Sequence, residues 1–141
     1  MGPLTVPGKL DSLTQIGEYV MKIAEEANLD KRAAYRLRLA VDEITTNIIM
    51  HGYEEAGIDG DVFLDASIND GILRIVVEDT GHEYDPTTHG TPESIDQPLE
   101  ERPIGGLGIY LTNLSVDEFQ YHRVGERNQN VFIVKLPVEE S

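Results

Sequence analysis

The apolar residues of this chain change their spacing after Gly52, and that change constrains the fold more than any single motif. From Asp11 to about Ala27, Leu13, Ile16, Val20, Ile23 and Ala24 lie on one helical stripe. After Asp30, a good N-cap, Ala34, Leu37, Val41, Ile44 and Ile48 keep a three-and-four spacing to about His51, and Gly52 closes the pattern. Val62, Leu64, Ala66 and Ile68 then alternate with Asp61, Phe63, Asp65 and Ser67, the rhythm of a half-buried strand. Helices with one apolar stripe need a surface to cover, and alternating strands supply one.

Turn chemistry completes the outline. Leu4–Val6 reads as a short strand stopped by Pro7-Gly8, and Asn28 ends the first helix. Asn69-Asp70-Gly71 folds the Val62–Ile68 strand back onto Ile72–Val77 as a hairpin. Residues 80–104 carry four prolines and no period, and so long a loop in a compact domain is often a lid. Gly105-Gly106-Leu107-Gly108 opens a short helix through about Leu114. A last hairpin joins Phe119–Arg123 to Asn130–Leu136 through Gly125–Asn128. The order β-α-α-β-β-α-β-β predicts one α/β (α+β) domain over residues 1–141, a two-layer sandwich with a mixed sheet and helices on one face.

Composition then excludes function classes. With no cysteine, disulfides, thiolate metal sites and cysteine nucleophiles are out. No apolar run approaches the roughly 18 residues of a membrane span, and the first residues lack a signal-peptide core, so a cytoplasmic protein is expected. A net charge of −15 argues against direct nucleic-acid binding, which needs many Lys and Arg contacts to phosphate. It favours a cationic partner, or anions bridged by a metal.

Three groups of residues could carry chemistry. Glu43, Asn47 and His51 share one helical face at four-residue intervals, a carboxylate and an amide suited to a hard cation. The same spacing also describes a solvated polar face. Glu78-Asp79-Thr80-Gly81 ends a strand, where a carboxylate could accept the exocyclic amino group of a base, or simply make a turn. Arg102-Pro103-Ile104-Gly105-Gly106-Leu107-Gly108 precedes a helix, and backbone N–H groups there can converge on an anion. It is not a Walker A loop, because no Lys-Ser/Thr follows the glycines.

Taken in order, EITTN (43–47), EDTG (78–81) and GGLGIYL (105–111) resemble the N, G1 and G2 boxes of the GHKL ATPase superfamily. Within it the chain is similar to the anti-sigma-factor serine kinases of the RsbW and SpoIIAB type. The resemblance implies the GHKL (Bergerat) ATP-binding fold, with ATP and Mg2+ between the N-box helix and a mobile lid. It implies Glu43 as the general base, Asn47 as the magnesium ligand and Asp79 as the adenine-reading carboxylate. Gly81 would allow close approach at the nucleotide. Gly105, Gly106 and Gly108 would line the phosphates, Arg102 would meet the terminal one, and His51 would support the pocket. The implied partners are a STAS-domain anti-anti-sigma protein as substrate, a sigma factor, and a second copy through the sheet.

One departure matters. Many GHKL proteins carry a second glycine two residues after the first in the G1 box, where this chain reads Gly81-His82-Glu83-Tyr84-Asp85-Pro86. Residues 78–101 also hold eight acids and no Lys or Arg. A non-catalytic binding switch on the same fold is therefore the alternative to a kinase. A histidine-kinase fragment would need a helical hairpin bearing its phosphorylated histidine, and none of His51, His82, His89 or His122 lies in one.

Overall fold

The computed structural model describes residues 2–86, 112 and 115–136. Strand β1 (Leu4–Pro7) leads through a 3-10 turn (Leu10–Ser12) into helix α1 (Leu13–Glu26). Helix α2 (Lys31–Asn47) comes next, then β2 (Asp61–Asn69), β3 (Ile72–Asp79), β4 (Glu118–Val124) and β5 (Arg127–Lys135). Among the described residues no helix is long and apolar enough to cross a membrane.

Local chemistry explains most boundaries. Asp30 caps α2 by accepting the Ala33 N–H at 2.8 Å. Asn28, at φ 59°, ends α1, with Asn28 N–H on Glu25 O and Leu29 N–H on Ala24 O, the Schellman pattern. Asp70 and Gly71 both have positive φ, as a two-residue type I′ turn requires. The last turn is tighter than the sequence predicts. Gly125 (φ 60°) and Glu126 suffice, so β5 begins at Arg127 rather than Asn130.

The five strands lie in the order β1-β2-β3-β5-β4. The element order predicts a mixed sheet, but every pairing among the described residues is antiparallel. The crossover after β3 leads to edge strand β4, and β5 returns between them, keeping the codirectional pair apart. One face of the sheet, with Val62, Leu64, Leu73, Ile75, Val77 and Phe132, shares a single buried cluster with Ile16, Val20 and Ile23 of α1 and Leu37, Val41 and Ile44 of α2. The helices thus cover one face. The other carries Phe63, whose ring lies 5.0 Å from the Arg127 guanidinium, and Glu78, paired with Arg127 at 3.0 Å.

The second helix departs from the simple pattern. It does not stop at Gly52 but widens after Asn47 into a π-helical turn, Ile48–Glu54, where Glu55 N–H donates to Met50 O five residues back. Thr45 and Thr46 hydroxyls already bond the Val41 and Asp42 carbonyls, loosening the last α-helical turn. The wider turn brings Tyr53 into the core. Its hydroxyl donates to Asp61 O (2.6 Å) and accepts the Thr80 N–H (2.9 Å), tying the turn to the start of β2 and the end of β3. Its ring fits between Gly8 and Gly60, where an added Cβ would come within 2.5 and 2.7 Å of ring carbons.

Tyr53→Phe should therefore destabilise the domain by about 1–3 kcal/mol, the cost of leaving the Thr80 N–H and Asp61 carbonyl unpaired. Urea unfolding reads this directly. An unchanged midpoint would show that the hydroxyl does not hold the turn.

Candidate functional site

The C-terminal ends of α2 and β3 meet across the π turn. Gly52 O accepts the His82 N–H at 2.8 Å, and a Cβ on Gly81 would lie 2.5 Å from the same oxygen. Only glycine at 81 permits this backbone approach. Its first task is thus to seat the β3 end on the π turn, beside Asp79, whose Oδ1 lies 3.7 Å from a Cβ built on Gly52.

Asp79 lies on the helix-covered face of the sheet, in one row with Val62 and Asn128, and is 1% exposed. Its Oδ1 accepts two hydrogen bonds at 2.9 Å, from the Gly81 N–H and from Asn128 Nδ2. Its Oδ2 is buried with no partner. Burial pushes the carboxyl above the ordinary aspartate range, against the Asn128 and Gly81 hydrogen bonds and the Arg123 charge.

On α2, Glu43 is half-buried, and its carboxyl is raised by burial and then by the neighbouring Asp42 charge. Asn47, one turn on, is 4% exposed and its Nδ2 has no partner. His51 sits on the π turn. Its Nδ1 pairs with Glu55 at 2.8 Å, its ring stacks on Tyr84 at 4.8 Å, and its buried Nε2 is unpartnered. The Tyr84 ring thus ties the segment lacking the second glycine to the π turn. Buried polar atoms are nearly always satisfied, so the unpartnered ones at these strand and helix ends call for a water, an ion or a polar ligand as partner.

Of the expected site residues, Asp79 and Gly81 meet at the π turn, and Glu43 and Asn47 lie on the helix that runs into it. Arg102, Gly105, Gly106 and Gly108 lie outside the described residues, as do most of the expected lid and the helix opening after Gly108. The structure adds residues that the motifs did not single out. Asn128 joins β5 to Asp79, and Arg123 Nη1 donates to Gly81 O at 3.2 Å. Asn130, two residues along the same face, is 1% exposed with neither side-chain polar atom partnered. The signal was present in β5, where Asn128 and Asn130 share the inward parity of Phe132 and Val134. Polar residues at core-facing positions are the informative exception.

The model of the histidine kinase-like ATPase domain family matches residues 6–135. The serine-protein kinases RsbW of Bacillus mycoides and Bacillus anthracis are each 27% identical over 120 residues, covering 83% of this chain and 74% of theirs. Among solved structures, the histidine kinase domain of the Erythrobacter litoralis EL346 blue-light activated histidine kinase is similar, with a TM-score of 0.54 and 26% identity. The match covers 85% of this chain and 60% of that domain, so this chain spans less than two thirds of it.

A carboxyl with a raised native pKa holds its proton more tightly folded than unfolded. The stability it contributes is present at low pH and is lost as pH rises from the ordinary aspartate value through the raised one. Asp79→Asn removes that loss while keeping an acceptor for Gly81 and Asn128. Its stability advantage over wild type should appear in urea titrations as pH rises past the ordinary aspartate range, and vanish below that range. A variant less stable than wild type at neutral pH would contradict this.

Proposed function

Because the chain belongs to the histidine kinase-like ATPase domain family, we propose that it is an ATP-dependent protein-serine kinase that restrains a sigma factor and phosphorylates a STAS-domain anti-anti-sigma protein. The observation that carries the reading is Asp79, buried at a strand end with one oxygen saturated and the other unpartnered. Oδ2 suits the exocyclic amino group of adenine, a single donor meeting a single acceptor. The similarity to serine-protein kinases RsbW supports protein serine as the acceptor class.

On this reading Glu43 is the general base. Its raised pKa moves a carboxylate toward the pH at which it works, as general bases require. It takes the proton of the attacking serine hydroxyl while the Oγ–phosphorus bond forms and the bond from the γ-phosphorus to the oxygen retained by ADP breaks. Magnesium would be held through the Asn47 side-chain oxygen rather than its unpartnered Nδ2, since a hard cation takes oxygen ligands and often needs only one or two protein groups beside substrate phosphates. When bound, the ion neutralises charge on those phosphates. Arg102 and the backbone at Gly105, Gly106 and Gly108 would hold the phosphate tail. The −15 charge then serves the partner: a DNA-binding regulator such as a sigma factor presents cationic surface.

The His51–Tyr84 stack, in the segment lacking the second glycine, favours a second reading, a binding switch in which nucleotide only sets partner affinity. Glu43→Ala separates the two. Label transfer from γ-labelled ATP to a STAS protein should fall by about 10²–10⁴-fold with ATP binding retained. A folded, ATP-binding Glu43→Ala protein that signals normally would favour the switch.

Mg-ATP at about 100 times its Kd should stabilise the wild type by about 2.7 kcal/mol. Asn47→Ala should lose the magnesium-dependent part of that gain in a thermal-shift titration. Equal stabilisation of both proteins would remove Asn47 from the site.

A further inference from the structure

Asn128 uses its whole hydrogen-bonding capacity in one place. Its Nδ2 donates to Asp79 Oδ1 at 2.9 Å and to His82 O at 3.1 Å, with Gly81 O at 3.4 Å sharing the second hydrogen. Its Oδ1 accepts from the Tyr121 hydroxyl and from Arg123 Nη1 at 3.1 Å. The amide therefore has one orientation. Flipped, its oxygen would face three acceptors and its nitrogen the Arg123 guanidinium. At 2% exposure, neither water nor rotation offers an alternative.

The consequence falls on Asp79. An aspartate with both oxygens free can pair with two adjacent donors, as the N1–H and 2-amino group of guanine present them. Here Gly81 N–H and Asn128 Nδ2 occupy Oδ1, leaving only Oδ2. A single fixed acceptor matches the one amino group on the Watson–Crick edge of adenine. It meets the 6-oxo group of guanine as acceptor against acceptor.

We propose that Asn128 is a positioning residue for base selection: by holding Asp79 Oδ1 it restricts the carboxylate to one acceptor and makes the site prefer a 6-amino over a 6-oxo purine. This rests on the reading of Asp79 as the base-binding carboxylate. Arg123, from β4, is part of the device, because it fixes the far end of the amide and bonds Gly81 O. A purely structural role for Asn128 would weaken every nucleotide alike, whereas base selection predicts a change in ratio.

The test is equilibrium dialysis with labelled Mg-ATP and Mg-GTP on the full chain. Wild type should prefer ATP, and Asn128→Ala should lower the ATP:GTP affinity ratio by about tenfold or more, with ATP weakened and GTP unchanged or tightened. Arg123→Met, at a partly exposed position that leaves Asn128 in place, should shift the ratio the same way by a smaller factor. It decides the matter if Asn128→Ala does not fold. Folded variants that keep the wild-type ratio, or lose both nucleotides in proportion, would overturn the assignment to Asn128 while leaving the ATP site standing. A wild-type protein that binds neither nucleotide would overturn both.

Discussion

The site depends on one contact between two stretches of backbone, Gly52 on the π turn and Gly81 after β3. Neither residue has a Cβ, and a methyl group at 81 would fall 2.5 Å from Gly52 O. That approach places the π turn at the end of α2 beside the end of β3, and on the proposed reading the Asn47 amide and the Asp79 carboxylate serve one nucleotide. Tyr53 fastens the arrangement from the other side, with its hydroxyl between Asp61 O and the Thr80 N–H. Consecutive residues of one turn, Gly52 and Tyr53, thus anchor that turn to the ends of the sheet strands. Such π turns inside helices recur at functional sites, and here the wider turn re-aims Gly52 and Tyr53 toward the end of β3.

The fold was legible where its causes are local. Apolar spacing marked both helices and the central hairpin, and Asp30, Asn28 and Asp70-Gly71 are capping or turn residues acting on their immediate neighbours. The π turn was not legible, because Ile48, Ile49 and Tyr53 suit a continuing α-helix equally well. The wider turn packs against Gly8, Gly60 and Gly81, which are distant in sequence. The strand order was only partly legible. Antiparallel pairing of β3 with β5 depends on where a long crossover returns, and no local residue encodes that.

The candidate site divides in the same way. Asp79, Gly81, Glu43 and Asn47 stand in short motifs, so their residue types and spacing could be read directly. Arg123 reaches Gly81 O across 42 residues of chain, and no pattern around it announces the contact. Asn128 is intermediate. Its inward parity on β5 was readable, but its partnership with Asp79 required the register that sets Asn128 opposite Asp79. Net charge misleads if taken alone. Backbone N–H groups and a bound cation can hold a phosphate tail without entering a count of side chains, so a strongly acidic chain and a nucleotide ligand are compatible.

The most direct measurement is a crystal structure grown with Mg2+ and a non-hydrolysable ATP analogue. The account predicts the adenine amino group within hydrogen-bond distance of Asp79 Oδ2, with the Asn128 amide still on Oδ1 and the metal on the Asn47 side-chain oxygen. An analogue bound with its base away from Asp79, or a metal held without Asn47, would contradict it.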